Sequence, residues 1–176
     1  SLLAASASKL IYVSECDDCT AAIGMAAELG GQIELGSNGI LITPTPLGIP
    51  QPRTGKLNAD ESGLGLRLFG PISALSGEDI EIRSEGTLLH RPQTQMIKGL
   101  EDLGLEMSSN SEFPPIKISG CLNGGNIEID GSLGSQFISG LLLALPFADE
   151  DSTLTVLNLV SRPYLEMTLE VLDCLG

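Results

Sequence analysis

Tryptophan is absent, and only two tyrosines and four phenylalanines occur, so aromatic residues make up 3% of the chain. Aromatic rings therefore cannot carry the core, which must be packed from Leu, Ile, Ala and Val within a hydrophobic fraction of 42%. Cations are scarce too: nine Lys and Arg stand against 23 Asp and Glu, a formal charge of −14. A chain this acidic lacks the basic face that nucleic acid or an anionic membrane surface requires, so neither is expected as a partner. It lacks a membrane-length apolar run, since the longest, residues 138–148, is short and broken by Gly140 and Pro146. The opening SLLAASAS has no basic leader of the signal-peptide kind. It begins with Ser, abruptly, in helix-like sequence, which leads us to expect a fragment or a processed chain.

Four cysteines, Cys16, Cys19, Cys121 and Cys174, show no disulfide-framework spacing. Cys16-x-x-Cys19 has the spacing of a metal or redox pair, but a zinc ribbon needs a second pair and none exists, so no metal site is expected. Asp17 and Asp18 between the thiols are expected to raise their pKa values and oppose thiolate chemistry. A reduced, cytoplasmic protein is the expected setting. The one histidine, His90, has no Ser, Cys or acid at catalytic-triad spacing and reads as a surface residue.

Glycine, by contrast, is abundant at 21 residues, which points to many turns and close helix contacts. At 176 residues the chain fits one domain with a sizeable interior. The stretch 126–148, NIEIDGSLGSQFISGLLLALPFA, organises the reading. Ile127 and Ile129 alternate as in a strand, and Asp130–Ser132 makes a tight turn. A helix then opens near Ser135-Gln136 and runs to Leu145, apolar around nearly its whole circumference and therefore buried. Its free N–H groups and positive dipole end make a natural anion site. Plain N-capping by Ser132 or Ser135 would use the same groups without a ligand.

Three copies of one unit emerge at about 1–44, 61–120 and 126–176. In the second, 62–75 is an apolar helix, 78–86 a strand, and His90-Arg91-Pro92 opens an amphipathic helix ending at Leu103-Gly104. In the third, 135–145 is the apolar helix and 152–160 the strand. Ser161-Arg162-Pro163 then opens a helix ending at Leu175-Gly176. In the first, LLAASAS is a clipped apolar helix, KLIYVSE the strand, and Asp17-Asp18 opens a helix ending at Leu29-Gly30. Met96, Ile97, Leu100 and Leu103 form one apolar stripe, and Leu165, Leu169, Leu172 and Leu175 another. Short strands close each unit, and 45–60 reads as a connecting loop. The architecture expected is a layered α/β domain, with apolar helices inside and strands and amphipathic helices outside.

Helix starts collect the side chains able to carry chemistry. Gly63 lets a ligand approach the backbone before the second apolar helix. Arg67 and Arg91 supply fixed positive charge, Ser135 and Gln136 open the third apolar helix, Ser161 offers a hydroxyl and Tyr164 a phenol. Together they suit a phosphorylated, hydroxylated small molecule. The plainer roles are an Arg67–Glu61 ion pair, a capping Ser161 and a packed Tyr164.

ESGLGLRLF (61–69), LLHRP (88–92), IDGSLGSQFISGLLLALP (129–146) and SRPYLEMTL (161–169) together resemble blocks of the 5-enolpyruvylshikimate-3-phosphate synthase family, specifically its N-terminal domain, over essentially the whole chain. The resemblance implies a two-domain enzyme, each domain of three βαβαββ units, with substrates in the cleft between them. It implies transfer of the enolpyruvyl group of phosphoenolpyruvate to the 5-hydroxyl of shikimate-3-phosphate, a step of aromatic amino acid biosynthesis, without a cofactor. By motif position Ser135, Gln136, Ser161, Tyr164 and Gly134 resemble the shikimate-3-phosphate contacts. Gly63, Arg91 and Gln136 resemble the phosphoenolpyruvate contacts, with Arg67 in support. Catalytic residues would lie in the other domain, and the first residues of the family domain would precede Ser1, so the chain alone should not turn over.

Two positions depart from the family's pattern. Gly134 stands where it has a serine, so that a glycine N–H would have to replace a hydroxyl, and Leu64 where it usually has threonine. They leave open a non-catalytic binding or scaffold module descended from the same fold. A UDP-N-acetylglucosamine enolpyruvyl transferase-like domain shares the RP-helix-LG pattern but lacks the DGS-x-x-SQF and SRPY blocks.

Overall fold

Alternation of apolar and polar residues sets the strands, and apolar runs opened by a small residue set the inner helices. The computed structural model describes residues 2–175. In chain order it contains β1 (Ser8–Leu10), α1 (Asp17–Glu28), β2 (Gln32–Gly36), β3 (Gly39–Thr43), β4 (Lys56–Asn58), α2 (Gly63–Ala74) and β5 (Ile80–Arg83). There follow α3 (Thr94–Asp102), β6 (Glu106–Asn110), β7 (Phe113–Ser119), β8 (Gly125–Asp130), α4 (Gln136–Ala144), β9 (Ser152–Leu157) and α5 (Arg162–Leu175).

The strands form three sheets, ordered β1-β3-β2, β4-β5-β7-β6 and β8-β9. β4/β5 and β8/β9 are parallel pairs, and the other pairings are antiparallel. Two patterns recur. In β4-α2-β5 and β8-α4-β9 a largely buried helix joins two parallel neighbours, as a parallel crossover requires. In β1-α1-β2-β3 and β5-α3-β6-β7 a helix leads into a hairpin whose second strand returns beside the first. The middle segment, β4 to β7, carries both patterns in full as βαβαββ.

α2 and α4 lie inside, with Leu66, Phe137, Ile138 and Leu141 among the most deeply buried side chains. They touch backbone to backbone. A Cβ on Gly140 would sit 2.6 Å from the Arg67 carbonyl oxygen and 3.0 Å from that of Leu68. Ile127 and Ile129 of β8 both face this core.

Several expectations need correction. Leu2–Ser6 forms turns, not a clipped helix, although Leu2 and Leu3 are buried. β1 stops at Leu10 and does not run through residue 15; Tyr12, with φ +55, breaks it. The stretch 45–60 is not loop throughout, because Lys56–Asn58 pairs with β5, so the middle segment begins at β4 and not at residue 61. α3 opens at Thr94, two residues past Pro92, after a short 3-10 turn over Gly86–His90. The α5 stripe is only partly covered: Leu165 is buried, whereas Leu169 is 48% exposed. The Leu175 side chain and the stop at Gly176 lie outside the described residues. No helix among them is long and apolar enough to cross a membrane.

An apolar groove of about 740 Å³ opens beside α1 and β3, at the far ends of α2 and α4, with Leu10, Ile40, Phe69, Leu143 and Phe147 among its walls.

Candidate functional site

Each parallel pair ends where a helix begins. β4 ends at Asn58, and the chain turns through Asp60 (φ +48) to Ser62, whose Oγ accepts from the Gly65 N–H at 2.9 Å and caps α2. β8 ends at Asp130, whose carboxylate accepts from the Ser132 N–H at 3.0 Å and the Ser132 hydroxyl at 2.9 Å. Ser135 then occupies the N-cap position of α4 with no side-chain capping bond. Neither serine caps the helix, so the α4 opening keeps its N–H groups unused by a side chain. Ser135 is itself buried.

Arg67 joins the two openings. Its guanidinium folds back over the first turn of α2, where a Cβ on Gly63 would lie 3.4 Å from Nη1. Nη1 donates to Gln136 Oε1 at 2.6 Å and Nε to Gln93 Oε1 at 3.0 Å. Gln93 in turn donates through Nε2 to the Arg91 carbonyl at 2.8 Å. A relay of hydrogen bonds thus runs from the main chain of Arg91 to the first residue of α4. Gln93, 2% exposed, is the member that sequence reading missed. Its backbone N–H is fixed by the Glu112 carbonyl at 2.8 Å, a contact no local pattern announces.

The expected Arg67–Glu61 ion pair does not form. Glu61 Oε2 accepts instead from the Thr87 N–H at 2.8 Å and from its hydroxyl at 3.1 Å. Those two bonds, backbone first, and then the charge of Arg91 hold the Glu61 carboxyl below its ordinary value. Arg67 has no acidic partner among the described residues. Burial, and after it the like charge of Arg91, lowers its pKa, yet a guanidinium stays charged. Arg91 is exposed, and its Nη2 reaches only the Thr87 hydroxyl at 3.5 Å. Arg67 and Arg91 are close enough to feel each other's charge, and the side-chain hydrogen bonds of both guanidiniums go to neutral acceptors.

Ser161 lies just past the end of β9, the neighbour of β8, and its carbonyl accepts from the Tyr164 N–H at 3.2 Å. Tyr164 is 63% exposed, so it does not pack in the core. Gly134 has φ +111, and its N–H is already engaged by the Gly131 carbonyl at 3.3 Å, so it is not free to replace a serine hydroxyl. Leu64 points outward at 41% exposure. His90 is exposed. No group of three or more His, Cys, Asp or Glu among the described residues is placed to hold a metal ion.

At the α1 opening Cys16 departs from expectation. Hydrogen bonds from the Ser14 hydroxyl, then from the Cys19 N–H and thiol, hold its pKa below the ordinary value, against burial and then the charge of Asp18.

The chain is similar to known proteins. A family model described as EPSP synthase (3-phosphoshikimate 1-carboxyvinyltransferase) matches residues 1–176. A 3-phosphoshikimate 1-carboxyvinyltransferase of Nitrosopumilus maritimus is 31% identical over 175 residues, 99% of this chain and 41% of that protein. One of Methanocella arvoryzae is 35% identical over 162 residues, 90% of this chain and 38% of that protein. The chain thus spans about two-fifths of the length of these relatives. Among solved structures, EPSP synthase from Acinetobacter baumannii shares the fold with a TM-score of 0.73 at 23% identity, over 83% of this chain and 34% of that one. The enolpyruvyl transferase NikO from Streptomyces tendae does so at 0.58 and 14%, over 86% of this chain and 34% of that one.

Proposed function

The chain belongs to the EPSP synthase (3-phosphoshikimate 1-carboxyvinyltransferase) family, and from that membership we propose that it is the N-terminal, shikimate-3-phosphate-binding lobe of a two-lobed transferase. The whole enzyme moves the enolpyruvyl group of phosphoenolpyruvate to the 5-hydroxyl of shikimate-3-phosphate. It needs no cofactor and works in the cytoplasm. Its partners are the two substrates and the second lobe, which supplies the groups that break and make bonds. This lobe positions.

One observation carries the reading: Arg67, half-buried and without an acidic partner among the described residues, is forked between two neutral amide oxygens. Such a cation is paired with dipoles only, so an incoming phosphate or carboxylate gains a charge-assisted bond there. Ser135 and Ser161 hold the phosphate of shikimate-3-phosphate, with the uncapped start of α4 adding its N–H groups. Tyr164 and Gln136 meet the ring hydroxyls. Arg91 and the open backbone at Gly63 receive phosphoenolpyruvate, and Gln136, oriented by Arg67, touches both ligands. Fixing two reactants in one geometry lowers the entropic part of the barrier, the contribution a positioning lobe makes.

Turnover of the whole protein with both substrates tests the activity, and this chain alone, without the second lobe, should give none. Titrating the chain with shikimate-3-phosphate should move the amide resonances of Ser135, Gln136 and Ser161. Millimolar ligand that leaves them unmoved would refute the binding assignment. Binding without turnover in the whole protein would favour a non-catalytic descendant, with Gly134 and Leu64 marking the lost chemistry.

A further inference from the structure

We propose that Cys16 and Cys19 form a redox-active dithiol that closes to an intramolecular disulfide by exchange with a small disulfide of the glutathione type. Cys16 is the N-cap of α1 and Cys19 the third residue of that helix. The Thr20 N–H donates to the Cys16 carbonyl at 3.1 Å, so the helical bond pattern already begins at Cys16. Helix geometry separates Cα atoms three residues apart by about 5 Å. A disulfide bridges about 4.4–6.8 Å, so closure needs rotation of two side chains and no backbone displacement. Both cysteines are free, Cys16 exposed and Cys19 partly so.

The two thiols are unequal. Cys16 has the lowered pKa described above, at the positive end of α1. Cys19 is raised, first by its hydrogen bond to Cys16 and then by burial. Cys16 is therefore the attacking sulfur and Cys19 the resolving one. Metal binding by the pair would need further ligands, and no group of three or more is placed to supply them among the described residues.

The exchange runs in two steps. The Cys16 thiolate attacks one sulfur of the small disulfide, forming a mixed disulfide and releasing one thiolate, which takes a proton. Cys19 gives its proton to solvent and attacks the Cys16 sulfur, expelling the second thiolate, which is protonated in turn. Two protein thiols are oxidised and one disulfide is reduced to two thiols.

The test uses the whole protein carrying Cys121→Ser and Cys174→Ser, incubated with glutathione disulfide and read by mass spectrometry of the peptide bearing residues 16–19. That peptide should lose two hydrogens and regain them in excess reduced glutathione. Cys19→Ser should stall as a glutathione adduct on Cys16. Cys16→Ser keeps a good N-cap, and should be modified at Cys19 at least about tenfold more slowly. A peptide that stays reduced, or that stops at the mixed disulfide with both cysteines present, overturns the proposal. Equal rates in the two single variants overturn the assignment of the attacking sulfur.

Discussion

Arg67 donates from Nη1 to Gln136 Oε1 across 2.6 Å, a bond between residues 69 apart in sequence that ties together the openings of two helices. The other arm of the fork, to Gln93, pins the same guanidinium from the side.

Replacing Arg67 by Lys keeps the charge and loses the fork, because one ammonium cannot hold both amide oxygens in a plane. Hydrogen bonds to charged groups contribute about 1.5–3 kcal/mol, so the affinity of the whole protein for shikimate-3-phosphate should fall by about 10- to 100-fold. Calorimetry measures this, with circular dichroism to confirm the fold. An unchanged dissociation constant would mean that Arg67 is structural only.

Alanine is normally the better helix former, by about 1 kcal/mol over glycine. At Gly140 the sign should reverse, because the added methyl meets the carbonyl oxygens of Arg67 and Leu68. Overpacking of this kind costs about 1–3 kcal/mol. Gly140→Ala should lower the urea midpoint, and a midpoint that rises would contradict the close crossing of α2 and α4.

Gly134→Ser restores the residue the family pattern has at that place, yet it should not restore a contact. The position has φ +111 and ψ 172, a region open almost only to glycine, and forcing a side chain into it costs about 1–3 kcal/mol. Reduced stability without tighter shikimate-3-phosphate binding is the expected pair of results. Tighter binding would show that the 131–134 loop readily adopts another shape.

Asp130 is held below the ordinary carboxylate range by the Ser132 N–H, then by the Ser132 hydroxyl and the Asn158 amide. A depressed folded-state pKa stabilises the fold above the unfolded-state value, and that contribution is lost as the pH falls through the folded-state value. The Ser132 amide resonance should therefore titrate with a midpoint under the ordinary aspartate value, and Asp130→Asn should abolish the titration. A midpoint at or above the ordinary value would remove Asp130 as the anchor of the turn before α4.

Much of this was legible in the residues themselves. Ile127 and Ile129 announced β8, and the apolar run after Ser135 announced α4, because burial leaves a periodic trace. β4 left too short a trace: Lys56–Asn58 holds a single buried residue, Leu57, between two exposed ones, and pairs with a strand still to come. The start of α3 was displaced. Gln93, not Arg91, stands at the N-cap, at φ −110 and ψ 29, with its N–H bonded to the Glu112 carbonyl at 2.8 Å. Leu169 repeats in helical register but stays 48% exposed, which periodicity alone cannot reveal. At the rim, residue types were readable and partners were not. Glu61 and Arg67 are close in sequence, yet Thr87 offers Glu61 two donors at once, and Gln93 and Gln136 reach Arg67 only after the chain has folded.

Because α2 and α4 meet main chain to main chain at Gly140, the gap between their starting turns is a fixed gauge rather than an adjustable one. Side chains can shift to suit a new ligand, but a carbonyl pressed against a glycine has nowhere to go. On the proposed reading of the rim, selectivity for molecular size would be inherited from a contact deep in the interior, and altering it would require the helices themselves to be respaced.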